Sequence, residues 1–459
     1  MEIDSPPLVI HNVHFIWDDL NTPYTITIEN GLISAIYPTP PPPAHVPYAT
    51  NINGNHGTVL PSFCQPHIHL DNPYLIHRGP PMVCGSFCEA LELTNFSRQE
   101  YIEEDLIERG RRLIMENVQV GVTSMRCHVE VDEMVGLKCL EAGLKLKKEF
   151  GDEGRGICDI QIAVFAQEAV FIGEDNGVAM RKLFFEACER EGVDAIGSTP
   201  YVETTVALAK KNIDWIIDIA MLNKKHLDLH LDHNLSLRNE PLIYHLIHTL
   251  KSRSWSTSMP SHLRITLGHC TRLSLFPPYE LRQLHELIST DNLPIHFVGV
   301  PAVDLYFMGR GPTDGPATGG GATERGTLPV IDWIRNYDFD VALGVGNVGN
   351  AFTPMGGVDP LGMAAWLGTV YQGGSQADCR VLLECITTRA KEAIGIMQNQ
   401  YKDDDRMAIS VGDKADLVIV GQRSRDMGVH ELFVEPGYGR IVIKGGKIVA
   451  KRAVETWIA

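Results

Sequence analysis

Apolar positions alternate with polar ones, or run in short blocks, through roughly the first fifty residues. LVIHNVHFIW and YTITIENGLISAIYP therefore read as short strands. Glu29-Asn30-Gly31 is a hairpin signal, since Asn and Gly both tolerate the positive φ of a tight turn. Pro40 to Pro43 form an extended loop. The C-terminal end has the same character: AISVGDKADLVIVGQ and GRIVIKGGKIVAKRA are β-rich, with Gly445-Gly446 as a tight turn. The pattern predicts a small β-sandwich domain built from both termini, residues 1–58 and 409–459, flanking a middle of residues 59–408.

The middle alternates strands with helices. VLPSF, VTSMRCHV, DIQIAVFA, AIGST, LDLHL, RITLGH, PIHFVG and DVALGV are the eight candidate strands. Between them lie stretches with i, i+3, i+4 apolar spacing, such as RQEYIEEDLIERGRRLIMENV and TTVALAKKNIDWIIDIAML. Eight βα units in a row predict an α/β fold, a (β/α)8 TIM barrel with its active-site residues at the strand C-termini. No internal repeat is visible.

At 459 residues the chain suits one large barrel plus an accessory unit. The net charge of −17, with no long basic run, argues against nucleic acid and anionic membranes as partners. The N-terminus lacks a basic region followed by an apolar stretch, and no apolar run matches a bilayer span, so a cytoplasmic location is expected. The ten cysteines are scattered; Cys84 and Cys88 are four apart, not CxxC. Reduced, buried thiols are the simplest reading, including Cys64 and Cys270 beside candidate histidines.

The candidate chemistry begins with PSFCQPHIHLDNP. His67 and His69 are two apart, so both side chains leave a strand on the same side, half of a metal site. The other strand ends carry Arg126 and His128, Gln167 and Glu168, His230, Asp232 and His233, His269, and Gly344, Gly346 and Asn347. A lone histidine is more often a satisfied core residue, but this set at strand ends on one barrel face points to a site. Gly344-Val345-Gly346-Asn347-Val348-Gly349 spells GxGxxG, but it follows the last barrel strand and runs toward Pro354 rather than into a helix, which disfavours a dinucleotide. The glycine-rich stretch 309–326 after the seventh strand reads equally as a mobile loop or as a lid carrying Arg310 or Arg325 to the substrate.

These motifs, in this order, resemble the amidohydrolase superfamily, specifically its cytosine deaminase-like branch. PSFCQPHIHLD, MRCHVEVD, IAVFAQEAV, LDLHLDH, TLGHCT and ALGVGNVGN fall at strands 1, 2, 3, 5, 6 and 8, and VGDKADLVIV with GGKIVA resembles the C-terminal sheet. The resemblance implies one divalent metal ion, zinc or iron, held by His67, His69, His230 and a strand 8 aspartate. It implies that His269 orients the attacking water and that Gln167 binds substrate, occupying the place of a bridging group in two-metal relatives. Two departures stand out: the aspartate, which is also the general base, falls on Gly346 next to Asn347, and the acidic proton shuttle of strand 5 falls on His233. With two carboxylates gone and one histidine gained, the site is expected to be more positive than its relatives' and to favour an anionic ligand. The expected activity is metal-dependent hydrolysis of a C–N or C–O bond of a small cyclic or anionic molecule. His233 and His269 would transfer protons; Gln167, His128, Asn347, Arg310 and Arg325 would bind substrate; a homo-oligomer is a further expectation. The alternative is a non-hydrolytic enzyme (a lyase, decarboxylase, isomerase or cyclase) or a ligand-binding pseudoenzyme on the same fold.

Overall fold

The computed structural model describes residues 6–16, 22–39, 48–173, 175–309, 325–397, 406–421, 428–434, 436–455 and 457. Four strands open the chain: β1 (Leu8–Phe15), β2 (Tyr24–Glu29), β3 (Leu32–Pro38) and β4 (Thr50–Pro61). Eight follow at the barrel: β5 (Phe63–His69), β6 (Val122–Glu130), β7 (Asp159–Ala166), β8 (Val193–Ser198), β9 (His226–Leu231), β10 (Ile265–His269), β11 (Ile295–Gly299) and β12 (Val341–Leu343). The last three are β13 (Leu417–Val420), β14 (Arg440–Lys444) and β15 (Lys447–Arg452).

The terminal strands form a seven-stranded sheet in the order β15-β14-β13-β4-β1-β2-β3, the framework of a small β-sandwich domain. Asn30 and Gly31 turn between β2 and β3 with φ of 51° and 78°, and Gly445 and Gly446 turn between β14 and β15 with φ of 54° and 77°. Ile10, Ile26, Ile28, Leu417 and Ile443 fill one apolar face, as the period of two requires.

Val59, Leu60 and Pro61, expected in the first barrel strand, instead end β4 and pair with β13. Ser62 is the break. Its N–H donates to Asp416 O at 2.9 Å, and the chain re-enters pairing at Phe63, whose N–H donates to Gly121 O. The barrel strand is therefore FCQPHIH itself, and His67 and His69 lie within it.

The barrel strands pair in parallel and in chain order from β5 to β12. Amphipathic helices pack outside; in Glu103–Val120 Leu106, Leu113, Ile114 and Val118 face inward, and Gly121 at φ 114° ends the helix. Strand β12 lasts only three residues. Closure passes to the segment behind it: His69 N–H donates to Gly346 O at 2.9 Å, and Gly346 N–H donates to His67 O at 3.1 Å. Among the described residues no helix is long and apolar enough to cross a membrane.

Low in the barrel, Arg126 lies wholly buried and fully bonded. It donates to Asp228 Oδ2 (3.1 Å), Thr266 Oγ1 (2.8 Å), Gln161 Oε1 (2.9 Å) and Ile394 O (3.0 Å). Such satisfaction is what lets a charge survive in a closed core.

His226, at the start of β9, accepts a hydrogen bond at Nδ1 from Arg264 N–H at 2.9 Å. Burial, with the positive Arg126 behind it, lowers its pKa from 6.5 to about 2. The folded value lies below the unfolded one, so the unfolded chain binds the extra proton first. Its contribution to stability is complete above pH 6.5 and declines as pH falls below that. One unit below, the loss is about 1 kcal/mol. Urea unfolding at about pH 7.5 and 5.5 should therefore show wild type losing about 1 kcal/mol more than His226→Asn; equal losses would contradict this.

Candidate active site and metal centre

Strand β5 carries a bulge between Gln65 and Ile68, where Pro66 has no N–H to give to the ladder. It delivers His67 and His69 into the barrel, where His128 of β6 and His230 of β9 meet them. Ring centroids lie 4.3 Å apart for His67 and His128 and 4.4 Å for His67 and His230. One ring nitrogen from each of the four can be chosen so that all lie within 4.8 Å of one another. All four side chains are buried, and among the described residues His67 Nε2, His69 Nδ1, His128 Nδ1 and His230 Nε2 have no hydrogen-bond partner. Burial, reinforced by the neighbouring imidazoles, holds His67, His69 and His230 well below the usual histidine range, so they are neutral. Neutral, converging imidazoles with bare nitrogens are a donor set suited to a divalent transition metal.

His128 is anchored from behind. Its Nε2 lies 3.1 Å from Asp228 Oδ1, while the other oxygen of Asp228 takes Arg126 and Thr266. Burial raises the Asp228 pKa, but His128 and Arg126 outweigh it, and the carboxyl stays ionised.

A second group stands beside the first. His269 ends β10 at φ 67°, and its Nδ1–H donates to Asp304 Oδ1 at 2.8 Å. His233 Nε2 is 3.4 Å from the same oxygen, and Thr327 Oγ1 donates to Oδ2 at 2.7 Å. The two imidazoles stack with centroids 4.0 Å apart. Asp304 is fully buried; burial raises its pKa, but the adjacent His233 and the hydrogen-bonded His269 outweigh it and it stays ionised. Burial and the neighbouring His269 lower His233 to about 4, against the pull of Asp304.

Asp304 was not among the residues expected. It sits on the helix Pro301–Phe307 beyond β11, not at a strand end. One signal was available: it is the single charge in the apolar run VPAVDLYF, and a lone acid there must either face solvent or be paired. Asn72, Phe87, Tyr201, Val303 and Phe352 were missed for the same reason, being contributed by loops and helices above the strands.

A small cavity of about 30 Å³ opens over the site, lined by these five and by His69, Gln167, His230, His233, His269 and Asn347. Gln167 and Asn347 thus meet the histidines, while His128 lies in the cluster rather than on the cavity wall. Asp232 turns away, accepting from the N–H groups of Leu242 and Ile243. Glu168 pairs with Arg98 at 3.2 Å. Arg325 is exposed, and Arg310 lies outside the described residues. Cys64 and Cys270 are buried free thiols, and burial raises Cys64 to about 11. A roomier, mainly apolar cavity of about 540 Å³ lies to one side, between Pro301, Tyr306, Met355 and Trp366, and contains none of the histidines.

Two glycines of GxGxxG are accounted for by close packing on the barrel. A Cβ on Gly344 would sit 3.0 Å from His67 Cβ and O. Gly346 is at φ 78°, and a Cβ there would meet Val300 Cγ1 at 2.3 Å. The neighbouring Asn347 oxygen already accepts from Asn350 Nδ2 at 2.8 Å.

No family model matches the chain. It is 22% identical over 411 residues, 88% of each chain, to N-isopropylammelide isopropyl amidohydrolase of Pseudomonas sp. (strain ADP). Among solved structures it resembles 5-methylcytosine deaminase from Klebsiella pneumoniae liganded with 5-fluorocytosine: TM-score 0.80, 20% identity, 98% of this chain and 99% of that one. It also resembles N-isopropylammelide isopropylaminohydrolase from Burkholderia multivorans ATCC 17616: TM-score 0.74, 24% identity, 97% and 99% covered. The structural likenesses bear on the fold: the (β/α)8 barrel with its terminal β-domain.

The conformation at Gly346 predicts that a carboxylate cannot be placed there by a single change. Gly346→Asp forces a side chain into left-handed backbone and against Val300, at the point where the barrel closes. It should destabilise the fold by about 3 kcal/mol in urea unfolding; unchanged stability would show that the segment relaxes freely.

Proposed function

We propose that the chain, as a member of the amidohydrolase superfamily on its cytosine deaminase-like branch, is a metal-dependent hydrolase cleaving a C–N bond of a small cyclic, anionic molecule. The observation that carries this is a cluster of four buried histidines whose ring nitrogens come within 4.8 Å of one another, each ring keeping a nitrogen without a partner among the described residues. His67, His69 and His230 would hold one divalent ion, zinc or iron. When bound, such an ion supplies Lewis acidity and makes a water nucleophilic near neutral pH.

The protein's own groups handle the protons. Asp304 holds the proton on His269 at Nδ1 and so leaves Nε2 as the lone-pair nitrogen, the tautomer a general base needs. His233 draws on the same carboxylate oxygen, so the two stacked rings share one ionised partner. Through them Asp304 supplies, from the helix after β11, a carboxylate that Gly346 cannot. One of the two missing negative charges is thereby restored, and the site is one unit more positive than the family pattern, which favours an anionic substrate. Gln167 and Asn347 reach the cavity with amides that can orient it, between the walls of Phe87, Tyr201 and Phe352.

A second reading, a lyase, decarboxylase, isomerase or cyclase, is favoured by one observation: among the described residues, neither metal-type cluster draws a carboxylate from the segment after β12. Oxygen-labelled water separates the two, since only hydrolysis places solvent oxygen in the product.

The test is hydrolysis of a panel of cyclic amides, read as ring opening, and of ring amidines with an exocyclic amino group, read as release of ammonia or amine, each in neutral and carboxylated form. Turnover should favour the carboxylated members, vanish on chelation and return with zinc or iron. Turnover that survives complete metal removal, or that favours the neutral forms, contradicts the reading. Asp304→Asn should lower kcat by about 10²–10⁴-fold with little change in KM and with metal content retained; an unchanged kcat would remove Asp304 from the mechanism.

A further inference from the structure

The family pattern asks for a fourth protein donor from the strand 8 end, and this chain offers none there. Gly346 has no side chain, and the Asn347 oxygen is engaged by Asn350. The four-membered cluster in the barrel contains instead a histidine from β6.

His128 has the features of a ligand rather than of a packed core residue. It is fully buried, yet only one of its nitrogens is satisfied. Nε2 is fixed by Asp228, which in turn is fixed by Arg126 and Thr266. A carboxylate on the far nitrogen is the usual support of a metal-bound imidazole: it sets the tautomer and the ring plane and leaves the near nitrogen as a lone pair. With Nε2–H on Asp228, that lone pair is Nδ1, the atom without a partner. The bare nitrogens of His67, His69 and His230 are equally unpartnered. Lone pairs converging in a dry interior repel one another, and N–H groups converging there would do the same. A cation among them removes the conflict. With bonds of roughly 2.0–2.1 Å, zinc holds neighbouring ring nitrogens roughly 3–3.5 Å apart, both in a four-coordinate site and in one expanded to five with a water in the fifth position. A spread within 4.8 Å closes to that by less than about 1 Å at each ring, within reach of small side-chain rotations.

We propose that His128 is the fourth protein ligand of the metal, taking the place of the absent strand 8 carboxylate, with Asp228 and Arg126 as its support. The inference rests on the metal-dependent reading above and specifies its ligand set. It makes the donor set all-imidazole and electrically neutral. It also moves the fourth ligand across the barrel, from the segment after β12 to β6. The negative charge that the pattern places on the metal lies one step back, on Asp228, where it is neutralised by Arg126.

The full-length protein, stripped of metal and reloaded with one equivalent of zinc, allows a direct count by X-ray absorption spectroscopy. Imidazole scattering should fit four ring donors. Three ring donors completed by oxygen would overturn the proposal while leaving the metal-dependent reading intact. Failure of the wild-type protein to retain zinc would overturn both. As a second arm, His128→Gln should weaken zinc binding by about 100-fold or more in competition with a chromophoric chelator, whereas His269→Gln should not. Equal affinities of wild type and a folded His128→Gln would overturn the assignment. If that variant does not fold, the absorption measurement on the wild-type protein decides alone.

Discussion

Closure of the barrel rests on an exchange of two backbone hydrogen bonds between β5 and the segment after β12: His69 N–H to Gly346 O, and Gly346 N–H to His67 O. Much else follows from it. Because β12 is only three residues long, the closing contacts fall on a stretch that has already left strand geometry. That stretch must run close over His67, which requires glycine at 344, and must turn at positive φ, which favours glycine at 346. The same contacts fix the backbone on either side of His67 and His69. Gly346 is therefore committed to closing the barrel.

The consequences run through the barrel interior. With no carboxylate between β12 and Asn350, the imidazoles depend on what the other strands provide. Strands β6 and β9 each contribute two polar residues at i, i+2 spacing, Arg126 with His128 and Asp228 with His230, so a charged layer lies directly beneath the histidine layer. Asp228 joins the two: Arg126 below keeps it ionised, and it holds His128 above in one tautomer. On the opposite side Asp304 does the same for His269 and His233. Both oxygens of Asp228 and of Asp304 have named partners, the condition under which buried ionic groups are tolerated.

Much of this was legible in the sequence. Periodicity placed the barrel strands because an inward-facing strand in a parallel barrel is apolar almost throughout, and Asp159–Ala166 matches its strand residue for residue. The i, i+2 histidines, Gln167, His230, His233 and His269 were legible because strand ends carry the chemistry of this fold, and the structure brings all of them together. The boundary between β4 and β5 was not, since both are apolar and only the sheet partner of Val59–Pro61 distinguishes them. Asp304 was not, because it arrives from a helix. The setting of His128 was not, because sequence shows that a histidine lies on β6 but not that its far nitrogen rests on Asp228, one hundred residues away.

The account depends most on a cation standing among the imidazoles. Crystals of the zinc-loaded protein, with diffraction recorded on both sides of the zinc absorption edge, test it most directly. The account predicts one strong anomalous peak inside the barrel, within bonding distance of His67, His69 and His230. A peak elsewhere on the molecule, with none among these residues, would contradict it.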